Sequence, residues 1–169
     1  MKEFVKERLS AGPGSSEAMK KNLPDLKIPQ NLLNRIIEHA RQEYPLEGCG
    51  ILAGKDGKIT DFYPVVNTKK SSSCYLMEPE EQLRVFQEIE RTGVELSAIY
   101  HSHPHTAPFP SQRDVENAFY PDSLILIISL KEKNAPQIAA FQIEEGRIEK
   151  IAIKVMNARR GGYEMESIS

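Results

Sequence analysis

"AIYHSHPHTAPFPSQRD", residues 98–114, contains three of the chain's four histidines and three prolines, and it ends on a serine and an aspartate three residues apart. Residues two apart in a strand point to the same face, so a strand ending here directs the imidazoles of His101 and His103 to one point. Ser111 is suited to cap a helix N-terminus, and Asp114 then lies in the first turn of that helix. The segment therefore brings a carboxylate next to two imidazoles.

This combination of side chains is typical of a catalytic zinc site. Neutral imidazole and carboxylate are good zinc ligands, and three protein ligands with water in the fourth position distinguish a catalytic zinc from a structural one. A capping box or a His-x-His pair is commonplace when it occurs alone. Together they predict one Zn²⁺ per chain, bound by His101, His103, Asp114 and a water molecule. His105 is not expected to be a ligand, because Pro104 breaks the strand before it.

Hydrolysis at such a site also needs a group that takes a proton from water and passes it to the leaving amine. A glutamate is the usual choice, and Glu47 is the candidate. It directly precedes the strand-like run "GCGILAG", whose glycines allow another backbone or a ligand to approach closely. Taken alone, a glutamate such as Glu47 is more typical of a solvated surface acid than of a general base. Spacing alone does not distinguish it from the other glutamates of the chain.

The rest of the chain predicts an α/β (α+β) fold, with a mixed central sheet flanked by helices. Apolar periodicity and turn residues give the order α-β-β-α-β-α-β-β-β. The predicted elements are a helix from Pro29 to before Pro45, the strands "GCGILAG" and "KITDFYPVV" joined at Asp56-Gly57, a helix from Glu78 to Arg91, the strand "ELSAIYHSH", the short helix "SQRDVENAF", the buried strand "SLILIISL", and the strands "QIAAFQIEE" and "RIEKIAIKV" joined at Glu145-Gly146.

Three segments are expected from these patterns. Residues 1–27 are an N-terminal extension, flexible or partly helical, because "AGPGSS" interrupts them and no apolar period is sustained. Residues 28–156 form the folded domain. Residues 157–169 are expected to be a flexible C-terminal tail.

Composition and charge argue against several classes of partner. The 169 residues have a formal net charge of −2, which gives no electrostatic reason to expect nucleic acid or an anionic membrane. No segment approaches the ~18 apolar residues of a membrane span, and the N-terminus lacks the apolar run of a signal peptide. We therefore expect a cytoplasmic protein. Cys49 and Cys74 are expected to be reduced thiols, and neither belongs to a C-x-x-C motif.

Taken together, these motifs resemble the signature of the JAMM (MPN+) metalloproteases. That signature is a glutamate, then H-[ST]-H-P, six residues, and S-x-x-D. "EGCGILAG" and "HSHPHTAPFPSQRD" match it, including the six residues between Pro104 and Ser111. The surrounding elements agree with that family over roughly residues 27–156. The resemblance implies the JAMM/MPN, cytidine-deaminase-like architecture.

The resemblance also implies a role for each motif residue. His101, His103 and Asp114 bind zinc, Glu47 acts as general base and then as general acid, and Ser111 helps to position or stabilise the tetrahedral oxyanion. It implies hydrolysis of a peptide or isopeptide bond at the C-terminal end of ubiquitin or a ubiquitin-like protein. The extended tail of that substrate is expected to bind as an added strand beside the site.

Within this family, the chain is similar to the short, free-standing bacterial and archaeal members. The segment "YLMEPEEQLRVFQEIE" is similar to the CysO-cysteine peptidase branch, which trims ubiquitin-like sulfur carrier proteins. The resemblance thus implies the C-terminal tail of such a carrier as the substrate. The carrier, the leaving group and the oligomeric state stay open.

Two alternative functions are compatible with these residues, and two others are disfavoured. A deubiquitinase-like isopeptidase and a zinc-stabilised binding module without turnover are the alternatives. Cys49 as a nucleophile is disfavoured, since a small buried residue is expected there and the histidines serve better as ligands. Zinc-dependent deamination is disfavoured because its H-x-E and P-C-x-x-C motifs are absent. Finally, Arg159 to Gly162, "RRGG", resemble the end of a ubiquitin-like protein, which suggests an autoinhibitory tail as a hypothesis.

Overall fold

The computed structural model describes residues 25–168, which contain nine strands and three helices. In chain order these are β1 (Leu26–Pro29), α1 (Gln30–Glu43), β2 (Cys49–Lys55), β3 (Lys58–Val65), α2 (Pro79–Thr92), β4 (Glu95–His103), α3 (Gln112–Glu116), β5 (Leu124–Ser129), β6 (Gln137–Glu144), β7 (Arg147–Ile151), β8 (Ile153–Arg159) and β9 (Gly162–Ile168).

All nine strands belong to one mixed sheet, in the order β7-β6-β5-β4-β2-β3-β1-β8-β9. Strand β4 lies in its interior, antiparallel to β2 and parallel to β5. His101 is therefore opposite Cys49 on one side and Ile127 on the other. This position brings the carboxyl end of β4 into the middle of the sheet, and the predicted mixed sheet flanked by helices is confirmed.

Helix α1 covers one face of the sheet. It presents an apolar stripe at helical spacing, and Leu32, Leu33, Ile36 and Ala40 on that stripe are buried. They belong to the same core cluster as Tyr100 and other sheet residues of this face. Full burial of one large aliphatic side chain contributes about 1.5–3 kcal/mol, so this stripe stabilises the packing of α1 on the sheet.

Helix α2 belongs to the opposite face, where it packs with β2 and β4. Ile89 is buried in a cluster with Cys49, Ile51 and Ile99. The carboxylate of Glu78 caps the helix by accepting a hydrogen bond from the backbone N–H of Glu81 at 2.7 Å. Ile99 of β4 points to this face and Tyr100 to the other. Since strand side chains alternate, His101 and His103 point to the same face as Ile99.

Both predicted hairpin turns are confirmed. Asp56 and Gly57 join β2 to β3 with φ angles of 53° and 74°, and Glu145 and Gly146 join β6 to β7 with 49° and 77°. Positive φ at both central residues matches the right-handed twist of the flanking strands. These turns fix the registers of both strand pairs.

The run "RIEKIAIKV", predicted as one strand, is two strands in the structure. It breaks at Ala152, whose carbonyl accepts a hydrogen bond from the backbone N–H of Leu26 at 3.0 Å. Before this residue β7 pairs with β6, and after it β8 pairs with β1 in a parallel arrangement. Strand propensity cannot reveal such a change of partner, because both halves carry the same alternating pattern.

The flexible tail predicted for residues 157–169 is also corrected. Strand β8 continues to Arg159, and β9 pairs antiparallel with it, from Arg159 opposite Gly162 to Ile153 opposite Ile168. Strand β9 has no apolar face that its sequence pattern could indicate, because its side chains are mostly exposed and its backbone pairs with β8. Arg159 and Glu164 form an ion pair across this hairpin. The segment proposed as a free inhibitory end is therefore part of a hairpin.

The predicted N-terminal extension lies mostly outside the described residues. Its last two positions, Leu26 and Lys27, belong to β1, so the sheet begins before the predicted boundary at residue 28. In residues 25–168, no helix has the length and apolar character needed to cross a membrane.

Candidate active site

Three of the predicted site residues converge at the carboxyl end of β4. The Nε2 atoms of His101 and His103 are 3.1 Å apart. Nε2 of His101 is 3.3 Å from Oδ1 of Asp114, and Nε2 of His103 is 3.5 Å from Oδ2 of the same carboxylate. The strand supplies the two imidazoles on one face, and α3 brings Asp114 to them from its first turn.

The dimensions of this cluster fit a zinc ion. Atoms that bind one tetrahedral zinc at 2.0–2.1 Å lie about 3.3–3.4 Å from one another. The separations of 3.1, 3.3 and 3.5 Å between the two Nε2 atoms and the carboxylate oxygens bracket that value. Two imidazoles and one carboxylate are also a donor set that zinc prefers, so the residues present fit the metal.

The hydrogen bonds behind the ligands orient them. Nδ1 of His103 lies 3.0 Å from the carbonyl oxygen of Ala107, and since a carbonyl only accepts, Nδ1 carries the proton. The Nε2 lone pair of a neutral His103 is then free for a metal. Oδ2 of Asp114 accepts hydrogen bonds from the backbone N–H and the hydroxyl of Ser111, both at 2.7 Å. The predicted capping box is therefore present, and it holds the carboxylate against the histidines.

His101 is fully buried and lies beneath an aromatic ring. The ring of Tyr75 stacks on it, with centroids 4.8 Å apart and planes inclined by 24°. Nδ1 of His101 has no hydrogen-bond partner within residues 25–168. Burial lowers the pKa of His101 below its ordinary value, against the opposing effect of Asp114. The ring is therefore held in the neutral form that binds metals.

In the metal-free cluster, His103 and Asp114 shift each other's pKa in the directions expected of an ion pair. Burial acts to lower the pKa of His103, but its contacts with Asp114 and Ala107 outweigh burial and raise it. Burial acts to raise the pKa of Asp114, but hydrogen bonds with the two histidines and Ser111 outweigh it and hold the pKa well below its ordinary value. Asp114 is therefore an ionised carboxylate at neutral pH.

Glu47 is a buried acid beside this cluster, with 4% of its surface exposed. Its backbone is held on both sides: the N–H donates to the carbonyl of Ser71 at 2.8 Å, and its carbonyl accepts from Nδ2 of Asn67 at 2.9 Å. Burial raises its pKa to about 7; His103 opposes this shift and Asp114 reinforces it. A carboxyl group with this pKa can both accept and donate a proton near neutrality.

The structure gives the two disfavoured residues, Cys49 and His105, environments that suit neither nucleophilic attack nor metal binding. Sγ of Cys49 donates to the carbonyl of Val65 at 3.3 Å, and burial raises the pKa of this thiol to about 12. Cys49 is therefore a poor nucleophile. Both Cys49 and Cys74 are free thiols, as expected. His105 is exposed and packs edge-on against Tyr44, with ring centroids 5.6 Å apart.

Sequence reasoning missed two residues of the loop between β3 and α2. One is Tyr75, which covers His101. The other is Asn67, a buried side chain whose Nδ2 donates to the carbonyls of Glu47 and Cys74, and whose Oδ1 accepts from the backbone N–H of Leu76 at 3.0 Å. Asn67 thereby orders the polar loop and supports Glu47. In the sequence it was one polar residue among several, and its partners are not adjacent to it.

Comparisons with known proteins agree with this geometry. Residues 29–144 match the family described as prokaryotic homologs of the JAB domain. The chain is 31% identical over 133 residues to the CysO-cysteine peptidase of Mycobacterium tuberculosis, covering 78% of this chain and 91% of the relative. It is 31% identical over 132 residues to the probable TtuB-protein conjugate cleaving protease of Thermus thermophilus, covering 78% and 83%. A solution structure of a protein from Desulfitobacterium hafniense superposes with a TM-score of 0.71 at 31% identity, covering 78% of this chain and 93% of that one.

Proposed function

Because this chain belongs to the family of prokaryotic homologues of the JAB domain, we propose that it hydrolyses a peptide bond at the C-terminal end of a ubiquitin-like sulfur carrier protein in a zinc-dependent reaction. The family match confirms the JAMM/MPN architecture, and the chain is a hydrolase of the JAMM type. The convergence of His101, His103 and Asp114 beside the buried Glu47 is the observation that carries the proposal.

His101, His103 and Asp114 would hold the zinc ion through their converging Nε2 and carboxylate atoms. A zinc ion bound there supplies a Lewis acid that polarises the scissile carbonyl and makes water nucleophilic near neutral pH. The capping box and the Ala107 carbonyl keep the ligand atoms oriented while substrate enters and product leaves. These contacts support a site whose ligands are arranged before the metal binds.

Glu47 accepts a proton from the attacking water and then delivers it to the leaving amine. A pKa of about 7 supports both steps, because neither protonation state is strongly favoured at neutral pH. The backbone contacts with Ser71 and Asn67 fix the start of its side chain. Burial also limits competition from bulk water for this carboxyl group.

Ser111 positions Asp114 in this proposal. Its hydroxyl proton is directed to Oδ2 of Asp114, and its oxygen accepts from the Asp114 backbone N–H at 3.2 Å. The resemblance implied instead that Ser111 helps to position or stabilise the tetrahedral oxyanion, and that role requires the hydroxyl to leave Asp114. The observed bonding therefore favours orientation of the ligand.

The substrate is proposed from the relatives. The Mycobacterium relative is a CysO-cysteine peptidase, and the Thermus relative is a probable protease that cleaves TtuB-protein conjugates. A carrier tail that bears an additional C-terminal amino acid is the first candidate. An isopeptide-linked conjugate is the second, and the name of the Thermus relative favours it.

Mass spectrometry of defined substrates tests the proposal. The zinc-loaded protein is incubated with a ubiquitin-like sulfur carrier bearing one additional C-terminal residue, and in parallel with the same carrier linked to a lysine side chain. Release of the added group, its loss with a chelator, and its recovery with zinc are expected. Glu47→Gln should retain zinc and lose turnover. Carrier binding without cleavage of either substrate by the unmutated protein would support a binding module and overturn the proposal.

A further inference from the structure

Ser102 lies between His101 and His103 in β4, but its side chain points to the opposite face of the sheet. It is fully buried. Its hydroxyl oxygen accepts a hydrogen bond from the backbone N–H of Gly48 at 2.8 Å, and its own N–H donates to the Gly48 carbonyl at 2.9 Å. Gly48 directly follows Glu47, so Ser102 connects the strand of the two histidines to the backbone beside the acid.

The first of these bonds replaces a backbone bond of the sheet. Gly50 pairs with Tyr100 and Cys49 with His101, so the next pair along the two strands is Gly48 with Ser102. In a regular antiparallel pair, the Gly48 N–H would donate to the Ser102 carbonyl. Here the Gly48 N–H donates to the side-chain oxygen of Ser102 instead. The pairing of β2 with β4 therefore ends with a bond to a hydroxyl group, at the residue that follows Glu47.

Packing around Gly48 reinforces this anchor. A Cβ atom at Gly48 would lie 3.1 Å from the hydroxyl oxygen of Tyr100 and 3.2 Å from Nδ1 of His39, which is closer than ordinary contact. The Tyr100 hydroxyl lies 3.4 Å from Nδ1 of His39. Gly48 is thus enclosed on the face opposite the metal ligands.

Glu47 is therefore held from two directions. Ser71 and Asn67 hold its own backbone N–H and carbonyl from the loop before α2. Ser102 holds the next residue, Gly48, from the ligand strand itself. Of these contacts, the Ser102 contact ties the acid to the same strand that supplies His101 and His103.

Building on the function proposed above, we propose that Ser102 is a positioning residue that sets the location of Glu47 relative to the metal ligands. It touches neither substrate nor metal in this role. Its removal should leave the ligand atoms in place while the acid is displaced. A displacement of about 1 Å in a catalytic group can cost on the order of 100-fold in rate.

Kinetics of Ser102→Ala, Ser102→Thr and Ser102→Cys test this role. We expect Ser102→Ala to lower kcat by about 10- to 100-fold, with KM and zinc content close to those of the unmutated protein. Threonine retains the acceptor and should restore most of kcat. Cysteine has nearly the same shape but a weak acceptor, so it should behave like alanine, and it serves if the alanine variant does not fold. The matched control is Ser123→Ala, which removes another buried hydroxyl that bonds the Tyr120 carbonyl.

A double-mutant comparison separates positioning from general loss of structure. In a Glu47→Gln background, Ser102→Ala should cause no further loss of the residual rate, because groups that act as a unit are strongly non-additive. An equal loss in both backgrounds, loss of zinc from Ser102→Ala, or unchanged kcat in Ser102→Ala would overturn the inference.

Amide hydrogen exchange gives a readout that needs no turnover. Ser102→Ala should accelerate exchange of the Gly48 N–H at least about 10-fold, while the amide of Ile51, further along β2, exchanges as before. Unchanged exchange at Gly48 would contradict the anchor, even if the proposed peptidase activity were absent. Faster exchange at Gly48 in Ser102→Ala, together with no peptidase activity in the unmutated protein, would instead contradict the proposed function alone.

Discussion

Replacing Glu47 with Gln in the metal-free protein should raise the free energy of unfolding at pH 8 by about 2–3 kcal/mol. Burial raises the pKa of Glu47 from its ordinary value of 4.5 to about 7 in the folded protein. At about 1.4 kcal/mol for each pH unit, that difference corresponds to about 3 kcal/mol, and partial contact with solvent reduces it somewhat. Glutamine has a similar shape and no charge, so it removes the cost of ionising a buried carboxyl group.

The sign of the effect depends on pH. Below pH 4.5 the folded and unfolded states both hold the proton, and Glu47 carries no ionisation cost. Between pH 4.5 and about 7 the unfolded state loses its proton first, so folding stability falls as pH rises through this window. Above about pH 7 the full cost is present. The benefit of glutamine should therefore shrink to less than about 1 kcal/mol at pH 5.

Urea denaturation in the presence of a chelator, at pH 5 and pH 8, measures this difference. For a protein of this size, 2–3 kcal/mol corresponds to an increase of roughly 5–10 °C in Tm at pH 8. Glu149→Gln is the matched control, because Glu149 is exposed on β7 and its replacement should change stability by less than about 0.5 kcal/mol. A Glu47→Gln variant that is equally or less stable than the unmutated protein at both pH values would refute the placement of a buried acid with a raised pKa at this position.

Substitutions at three further residues test other parts of the structure. Tyr75→Ala should weaken zinc binding about 10-fold in a competition titration, because groups that contact a metal ligand also orient it and Tyr75 stacks on His101. Tyr75→Phe keeps the stacked ring and should bind zinc with the affinity of the unmutated protein. Equal zinc affinities in the two variants would contradict a role for the stacked ring. Cys49→Ala should retain peptidase activity, and its loss with intact zinc binding would revive the thiol as a nucleophile. Ile36→Ala should destabilise the fold by about 2–5 kcal/mol without changing zinc affinity, and a smaller loss in denaturant titration would show that α1 contributes less to the core than its burial indicates.

Local spacing predicted the parts of the site that depend on neighbouring residues. The two-residue period of a strand placed His101 and His103 on one face, and the three-residue spacing from Ser111 to Asp114 produced the capping box. The turn at Asp56-Gly57 likewise follows from the residues themselves. Each of these features is completed within one element or one turn.

The missed features depend on pairing between distant segments. Tyr75 reaches His101 across 26 positions of the chain, and Asn67 reaches Glu47 across 20. Strand β9 exists because β8 is available to pair with it, although its own side chains are mostly exposed. Such contacts are set by the sheet order, which apolar periodicity does not specify.

Zinc content per chain, measured by elemental analysis, tests the central claim most directly. The unmutated protein, His103→Ala and His105→Ala are purified in parallel. His105 is the matched control because it is only two residues from His103 but, in the described part of the chain, does not belong to the cluster that could hold a metal. We expect close to one zinc per chain in the unmutated protein and in His105→Ala, and a loss of most zinc in His103→Ala. Zinc retained by His103→Ala, or absent from the unmutated protein after growth with zinc, would contradict the metal centre on which the proposed function depends.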